Sequence, residues 1–203
     1  MKPIICLDLD DTLADSAPTI ISFAQKCDVE QFNGTGTLKK ISNNMDHYYF
    51  ARMLNWTTDQ LVIFFDNYYL KYLKEIKPME SASKITKKLK QLGFEIHIVT
   101  SRIEKENNIV ENLTNNWLLN NNISFDKLVI GKINKGNYVR KVNAKYFIDD
   151  SLEHCLNANK KSPSTKVFLM ENQFNCNIKE NIEKVNNLSD LYNRIKIDMR
   201  GKN

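Results

Sequence analysis

The chain has 203 residues, 42% of them hydrophobic and 26% charged, with a formal charge of +5. That length favours one domain, or one domain carrying an insertion, with enough chain to bury a proper core. Lys and Arg are mixed with acids along the chain, which argues against a nucleic-acid surface, and no apolar run approaches the ~18–20 residues needed to span a bilayer.

The chain opens on a strand candidate at 4–9, IICLDL, and no signal peptide is expected ahead of it. Its end is crowded with Asp8, Asp10, Asp11 and Asp15. Burying an unpaired carboxylate costs several kcal/mol, so acids at the end of a buried strand call for a counter-charge, most simply a cation. The stretch 16–77 then shows no convincing strand. It holds a Thr-x-x-Gln capping box at 57–60 and a following helix bearing Leu61, Phe64, Phe65, Tyr68, Tyr69 and Tyr72, with Pro78 at its end. It is too long for a simple crossover and reads as a separate helical unit. Most of its aromatic residues, Tyr48, Tyr49, Phe50 and Trp56 included, are expected to pack in that unit's own core, with one or two facing outward to a site.

From residue 80 the pattern changes. A helix is predicted over 80–92, with Ile85, Leu89 and Leu92 on one side, the basic run KITKKLK at 84–90 making its solvated face, and Gly93 ending it. Strand candidates follow at 94–99, 127–130, 145–148 and 165–170. Between them lie helices at 104–121, with Ile109, Leu113 and Trp117 on one face, and at 151–160, where Ser151 can cap the first turn. Alternating strand and helix predict an α/β fold: a Rossmann-like parallel sheet with helices on both faces and a small inserted helical cap after the first strand. The expected division is a core of 1–15 and 78–203 with a cap of 16–77. The four cysteines, Cys6, Cys27, Cys155 and Cys176, form no C-x-x-C pair, so free thiols in a reducing compartment, by default the cytoplasm, are expected. His47, His97 and His154 show no ligand spacing and are expected to be structural or surface residues.

Active sites of such sheets lie at the carboxyl ends of the strands. Collecting those ends brings together Asp8 and Asp10, Thr100-Ser101-Arg102, Lys132 and Lys135, and Asp149-Asp150. Asp8 and Asp10 start on the same side of their strand, and with Asp149 they make an oxygen site suited to Mg²⁺. No Cys/His cluster accompanies them, which excludes soft-metal chemistry. A hydroxyl and an ammonium opposite the metal can hold the oxygens of a phosphate, and a carboxylate can attack phosphorus.

DLDDT at 8–12, VTSR at 99–102, the lysine after the 127–130 strand and FIDDS at 147–151 resemble, in order, the four motifs of the haloacid dehalogenase superfamily of phosphohydrolases. The resemblance covers essentially the whole chain. It implies that Asp8 is the nucleophile and a Mg²⁺ ligand. Asp10 is then the general acid/base, ligating the metal through its backbone carbonyl, and Thr12 supports the loop. Thr100 becomes the phosphate-binding hydroxyl, with Ser101 in its place if the strand ends one residue later. Lys135 is the phosphate lysine, with Lys132 near enough to compete. Asp149 is a direct metal ligand and Asp150 assists through water. Asp11 and Asp15 read as exposed turn or helix-start residues, and Arg102 as either a phosphate contact or a helix-start ion pair. A receiver domain combines similar residues, but there the acidic pair comes first.

Within the superfamily, the size, the single insert, TSR and FIDDS look most like the 5'(3')-deoxyribonucleotidase group. That implies Mg²⁺-dependent hydrolysis of a nucleoside monophosphate by a monomer or homodimer that binds neither membrane nor nucleic-acid polymer. The alternatives are a small-metabolite phosphatase, such as one for a sugar phosphate, a transferase or mutase using the same intermediate, and a non-catalytic phosphate-binding protein on the same fold.

Overall fold

Apolar runs, with one short polar strand at the edge, form six strands of one parallel sheet: β1 (Ile4–Leu7), β4 (Glu95–Thr100), β5 (Lys127–Ile130), β6 (Tyr146–Asp149), β7 (Lys166–Met170) and β8 (Glu183–Val185). The computed structural model describes residues 2–40, 48–172, 175 and 180–201; His47 and Cys176 fall outside them. The strand order is β5-β4-β1-β6-β7-β8, and each adjacent pair is parallel. The order reverses at β1, which places a crevice beyond its carboxyl end, between β4 and β6.

Alternation along the strands builds two apolar layers. Ile5 and Leu7 of β1, Ile96 and Ile98 of β4 and Phe168 of β7 pack with α5 (Ala82–Gln91), α6 (Ile109–Asn120) and α9 (Leu188–Arg200). Cys6, Val99, Phe147 and Leu169 face the other way, against Val139 of α7 (Lys135–Lys141) and Cys155 and Ala158 of α8 (Leu152–Lys161). Each buried Leu or Ile contributes roughly 2 kcal/mol by leaving water. Cys6, Cys27 and Cys155 are free and buried. No helix among the described residues is long and apolar enough to cross a membrane.

The described residues between β1 and α5 are largely helical, as expected. It holds α1 (Ser16–Phe32), α2 (Tyr49–Met53), α3 (Thr58–Asn67) and α4 (Tyr69–Glu75). The capping box forms: Thr57 accepts from the Gln60 backbone and the Gln60 side chain accepts from Thr57. The following helix is broken in two at Tyr68. Phe50, Trp56, Phe64 and Tyr68 make an aromatic core, with Phe50 and Phe64 centroids 5.1 Å apart. The Asp28 carboxylate ties this unit, accepting from Trp56 Nε1 (2.7 Å) and Gly36 N (2.9 Å). Both ends of the insert meet in a neck that the sequence did not signal. There β2 (Ala14–Asp15) pairs antiparallel with β3 (Lys77–Pro78).

Three expectations shift. The α6 helix starts at Ile109, not 104, because Asn107 and Asn108 take positive φ and the Glu104 carboxylate accepts from Val110 N and Glu111 N at its first turn. Its buried face is therefore Val110, Thr114, Trp117 and Leu118, while Ile109 is exposed. The first strand ends at Leu7 rather than residue 9. Finally, β8 was not foreseen, being three residues long and largely polar.

Candidate active site

Asp8 leaves β1 while still in the ladder, its N–H donating to Ile148 O at 2.9 Å. The turn after it is tight: Leu13 N and Ala14 N both donate to Leu9 O at 2.8 Å. Asp11 holds that turn with φ 54°, and its carboxylate accepts from Ser16 N (3.1 Å) and Ala17 N (2.8 Å) at the start of α1. The helix-start role expected of Asp11 is seen; its full exposure is not. Thr12 is buried, and its hydroxyl has no hydrogen-bond partner among the described residues, so the loop is held by backbone bonds and Asp11 instead.

Leu7 pairs with Ile98 on one side and Ile148 on the other, so Asp149 ends its strand level with Asp8 and Thr100 ends its strand one residue further on. Thr100 is buried, its Oγ accepting from Arg102 N at 3.3 Å, and Ser101 is half-buried. Lys135 opens α7, where Asn134 caps the first turn by accepting from Asn137 N. Gly136 lets α7 lie against α8, since a Cβ there would stand 2.2 Å from Asn157 Oδ1 and 2.8 Å from its carbonyl oxygen. That approach sinks Lys135 to 3% exposure while Lys132 stays exposed. Lys135 Nζ donates to Asp8 Oδ1 (2.5 Å) and Asp149 Oδ2 (2.7 Å). Lys135, not Lys132, is the lysine brought to the acids.

Asp149 is fully buried. Its Oδ1 accepts from Ser151 N (2.9 Å) and lies 3.2 Å from His154 Nδ1. His154, expected to be structural or at the surface, stands beside the cluster with its side chain 18% exposed. Its position follows from Ser151 capping α8, which turns the first helical turn back over β6. Asp150 Oδ2 accepts from Asn172 Nδ2 (3.2 Å), and its backbone oxygen accepts from Asn175 Nδ2 (2.9 Å). Carboxylate oxygens of Asp8, Asp149 and Asp150 lie within 4.8 Å of one another. The Asp10 side chain turns elsewhere: it is forked by Arg102 and bonded by the Ser16 hydroxyl at 2.5 Å. Arg102 is thus neither a helix-start ion pair nor an open phosphate contact.

Burial pushes the Asp8 carboxyl up to about 7, Lys135 opposing and the like charges of Asp149 and Asp10 adding to the rise. Asp149 is equally buried, yet Lys135 and His154 hold it down at about 2. Burial and three neighbouring carboxylates push Asp150 well up. Asp10 resists its burial because Arg102 and Ser16 keep it below the usual carboxylate range. The insert adds Tyr49, Tyr69 and Tyr72, whose phenols burial pushes up and which all feel the Asp10 charge. It is tied to the core by Trp117 Nε1 on Ile76 O (2.7 Å) and Lys105 Nζ on Phe65 O (3.0 Å).

Set against known families, residues 5–137 match the haloacid dehalogenase-like hydrolases, a span that includes Asp8, Asp10, Thr100 and Lys135 and stops before Asp149. Comparison with curated proteins gives no match. Among solved structures, a haloacid dehalogenase-like family hydrolase of Streptococcus pneumoniae is similar at TM-score 0.66 and 15% identity, covering 96% of this chain and 98% of that one. A predicted phosphoglycolate phosphatase of Haemophilus somnus is similar at TM-score 0.62 and 18% identity, covering 97% and 98%. A HAD hydrolase of Bacillus subtilis, solved bound to magnesium, is similar at TM-score 0.62 and 16% identity, covering 96% and 98%. At such identities the likeness speaks for the fold.

Proposed function

The chain belongs to the haloacid dehalogenase-like hydrolases, and we propose that it is a phosphatase of small phosphate monoesters, working through an aspartyl-phosphate on Asp8. The observation that carries this reading is the buried Lys135 ammonium shared by Asp8 and Asp149, with Asp150 beside them. A structural turn needs no desolvated ammonium between two carboxylates, whereas a reaction that gathers negative charge does.

The residues fit Mg²⁺. Asp8, Asp10, Asp149 and Asp150 set four carboxylates against the two fixed cations Lys135 and Arg102, and the donors at the triad are all hard oxygens. Asp8, Asp149 and Asp150 would hold the ion with their side chains and Asp10 with its backbone carbonyl. Bound there, it would screen Asp8 from a phosphate dianion and draw charge from the phosphoryl oxygens.

In the first half-reaction an Asp8 oxygen bonds to phosphorus as the ester P–O bond breaks; Asp10, whose ionised form Arg102 and Ser16 favour in the substrate-free protein, gains a proton when phosphate charge arrives beside it and passes that proton to the leaving alkoxide. In the second, Asp10 takes a proton from water. The water oxygen bonds to phosphorus as the Asp8 O–P bond breaks, releasing phosphate. Lys135 offsets negative charge at Asp8 in both halves. Thr100 and Ser101, at the end of β4, offer hydroxyl donors to the non-bridging oxygens. Asp8 is only 4% exposed, and Tyr49, Tyr69 and Tyr72 of the insert feel the Asp10 charge, so the helical unit expected over 16–77 acts as a cap that shifts for substrate to enter and then excludes bulk water.

A small-metabolite substrate is better supported than a nucleotide, because the Haemophilus somnus neighbour is named a phosphoglycolate phosphatase and none of the three neighbours is named a nucleotidase. The buried free thiols support a reducing compartment such as the cytoplasm. Phosphate release with Mg²⁺ from phosphoglycolate, sugar phosphates and nucleoside monophosphates tests the reading. Preference for the first two is expected; preference for nucleotides would restore the nucleotidase, and release from none would remove the phosphatase.

A further inference from the structure

Arg102 is 5% exposed and makes three side-chain hydrogen bonds. Nε donates to Asp10 Oδ2 (2.9 Å), Nη2 to Asp10 Oδ1 (2.8 Å) and Nη1 to Thr114 Oγ1 (3.0 Å). Thr114 lies on α6, fully buried, so the fork is anchored from behind by a helix of the core. The Ser16 hydroxyl, at the first residue of α1, is a second donor to Asp10 Oδ1. A carboxylate offers about four lone-pair sites, two per oxygen. Among the described residues Oδ1 is therefore filled by Arg102 and Ser16, while Oδ2 takes one donor and keeps one site open. Asp10 itself sits in a loop, joined to Ala14 by an isolated bridge, so its carboxyl is oriented by its side-chain partners.

We infer that Arg102 is a positioning residue for proton transfer: it fixes the plane of the Asp10 carboxyl and leaves Oδ2 as the oxygen that gives and takes the proton. The inference rests on the acid–base reading of Asp10 above. A desolvated guanidinium is a costly way to join two loops, and its planar fork is suited to holding a carboxylate in one orientation. The Arg102 position also couples β4 to β1, so the acid is aimed by the same two strands that carry Thr100 and Asp8.

The test is kcat/KM for Arg102→Met, Arg102→Lys, Thr114→Val and Asp10→Asn on three substrates. 4-Nitrophenyl phosphate has a leaving group that departs without a proton; phenyl phosphate and phosphoglycolate need one. A misplaced acid should lower kcat/KM of Arg102→Met by about 100-fold on phosphoglycolate and less than about threefold on 4-nitrophenyl phosphate. Arg102→Lys should fall between, and Thr114→Val should show the same bias more weakly. Adding Arg102→Met to Asp10→Asn should cost little more, because both act through one group. Equal losses on all three substrates, or additive losses in the double variant, would mean a structural tie and overturn the inference. If Arg102→Met does not fold, Arg102→Lys and Thr114→Val carry the same two outcomes. Leaving-group bias in Asp10→Asn without bias in the Arg102 and Thr114 variants sinks this inference alone. No bias in Asp10→Asn sinks the acid role, and the inference with it.

Discussion

The carboxyl edge of the sheet and the helical insert both bring buried polar groups to the site, but they hold them by different forces. At the sheet edge the groups are charged and bonded directly: Lys135 to Asp8 and Asp149, Arg102 to Asp10. In the insert they are phenols at the rim of an aromatic core, with Phe64 stacked on Tyr68 at 5.9 Å and Tyr69 against Tyr72 at 5.6 Å. An ion pair away from water fails when one partner is lost, because a bare charge remains. Aromatic packing gives way by degrees. The edge should therefore decide whether chemistry occurs, and the insert which molecule undergoes it.

The sharpest way to break that division is at the edge. Asp8→Asn should lower phosphate release by about 10³-fold or more while the protein stays folded, since a nucleophile has no substitute. Turnover like wild type would remove Asp8 from the chemistry. Lys135→Met should destabilise the metal-free protein by about 3–5 kcal/mol in urea unfolding, because Asp8 and Asp149 then face each other without the ammonium they share. Mg²⁺ should recover part of that loss; no recovery would count against a metal held by the triad.

A pH series sharpens the comparison within the edge. Asp10 is held below its usual range by Arg102 and Ser16 against its burial. A depressed acid contributes stability above its unfolded value, about 3.9, and loses it as pH falls through the folded value. In Arg102→Met the main opposition to burial is lost, with Ser16 and Lys135 left to oppose it, and Asp10 rises, so that variant gains stability as pH drops from 7 toward about 4. The gap between the two urea midpoints should thus be widest at pH 7 and narrow on acidification. A constant gap would mean that the pair adds nothing beyond packing.

Changes in the insert should do less. Tyr72→Phe removes one hydroxyl near Asp10 and Arg102, worth about 1 kcal/mol, or roughly a fivefold change in kcat/KM at most, differing between substrates. Uniform loss across substrates would deny the insert a selecting role. Thr57→Ala should cost only about 1 kcal/mol by undoing the capping box and leave kcat/KM unchanged.

The same contrast explains what could be read from sequence. Asp8, Thr100 and Asp149 were legible because local rules suffice: a strand's apolar run stops where its buried end meets a polar edge. Lys135 could not be told from Lys132 by spacing alone. The choice depends on Gly136, whose missing Cβ lets α7 approach Asn157, and a Lys-Gly pair opening a helix was the only hint. Arg102 and Asp10 are joined across 92 positions, and His154 reaches Asp149 only once α8 is capped, so neither pairing has a local signature. The buried face of α6 was misread by one position because the Asn107–Asn108 turn delays the helix start. In the insert, composition announced an aromatic core, but which phenols turn toward Asp10 is decided by the break at Tyr68.

The most direct test is to quench the enzyme in acid during turnover of phosphoglycolate with Mg²⁺ and map any phosphoryl group by peptide mass. One phosphoryl group on the peptide carrying Asp8, absent from Asp8→Asn and from EDTA-treated protein, is the expected result. Turnover with no label on that peptide, or label on another residue, would contradict a nucleophilic Asp8 at this edge.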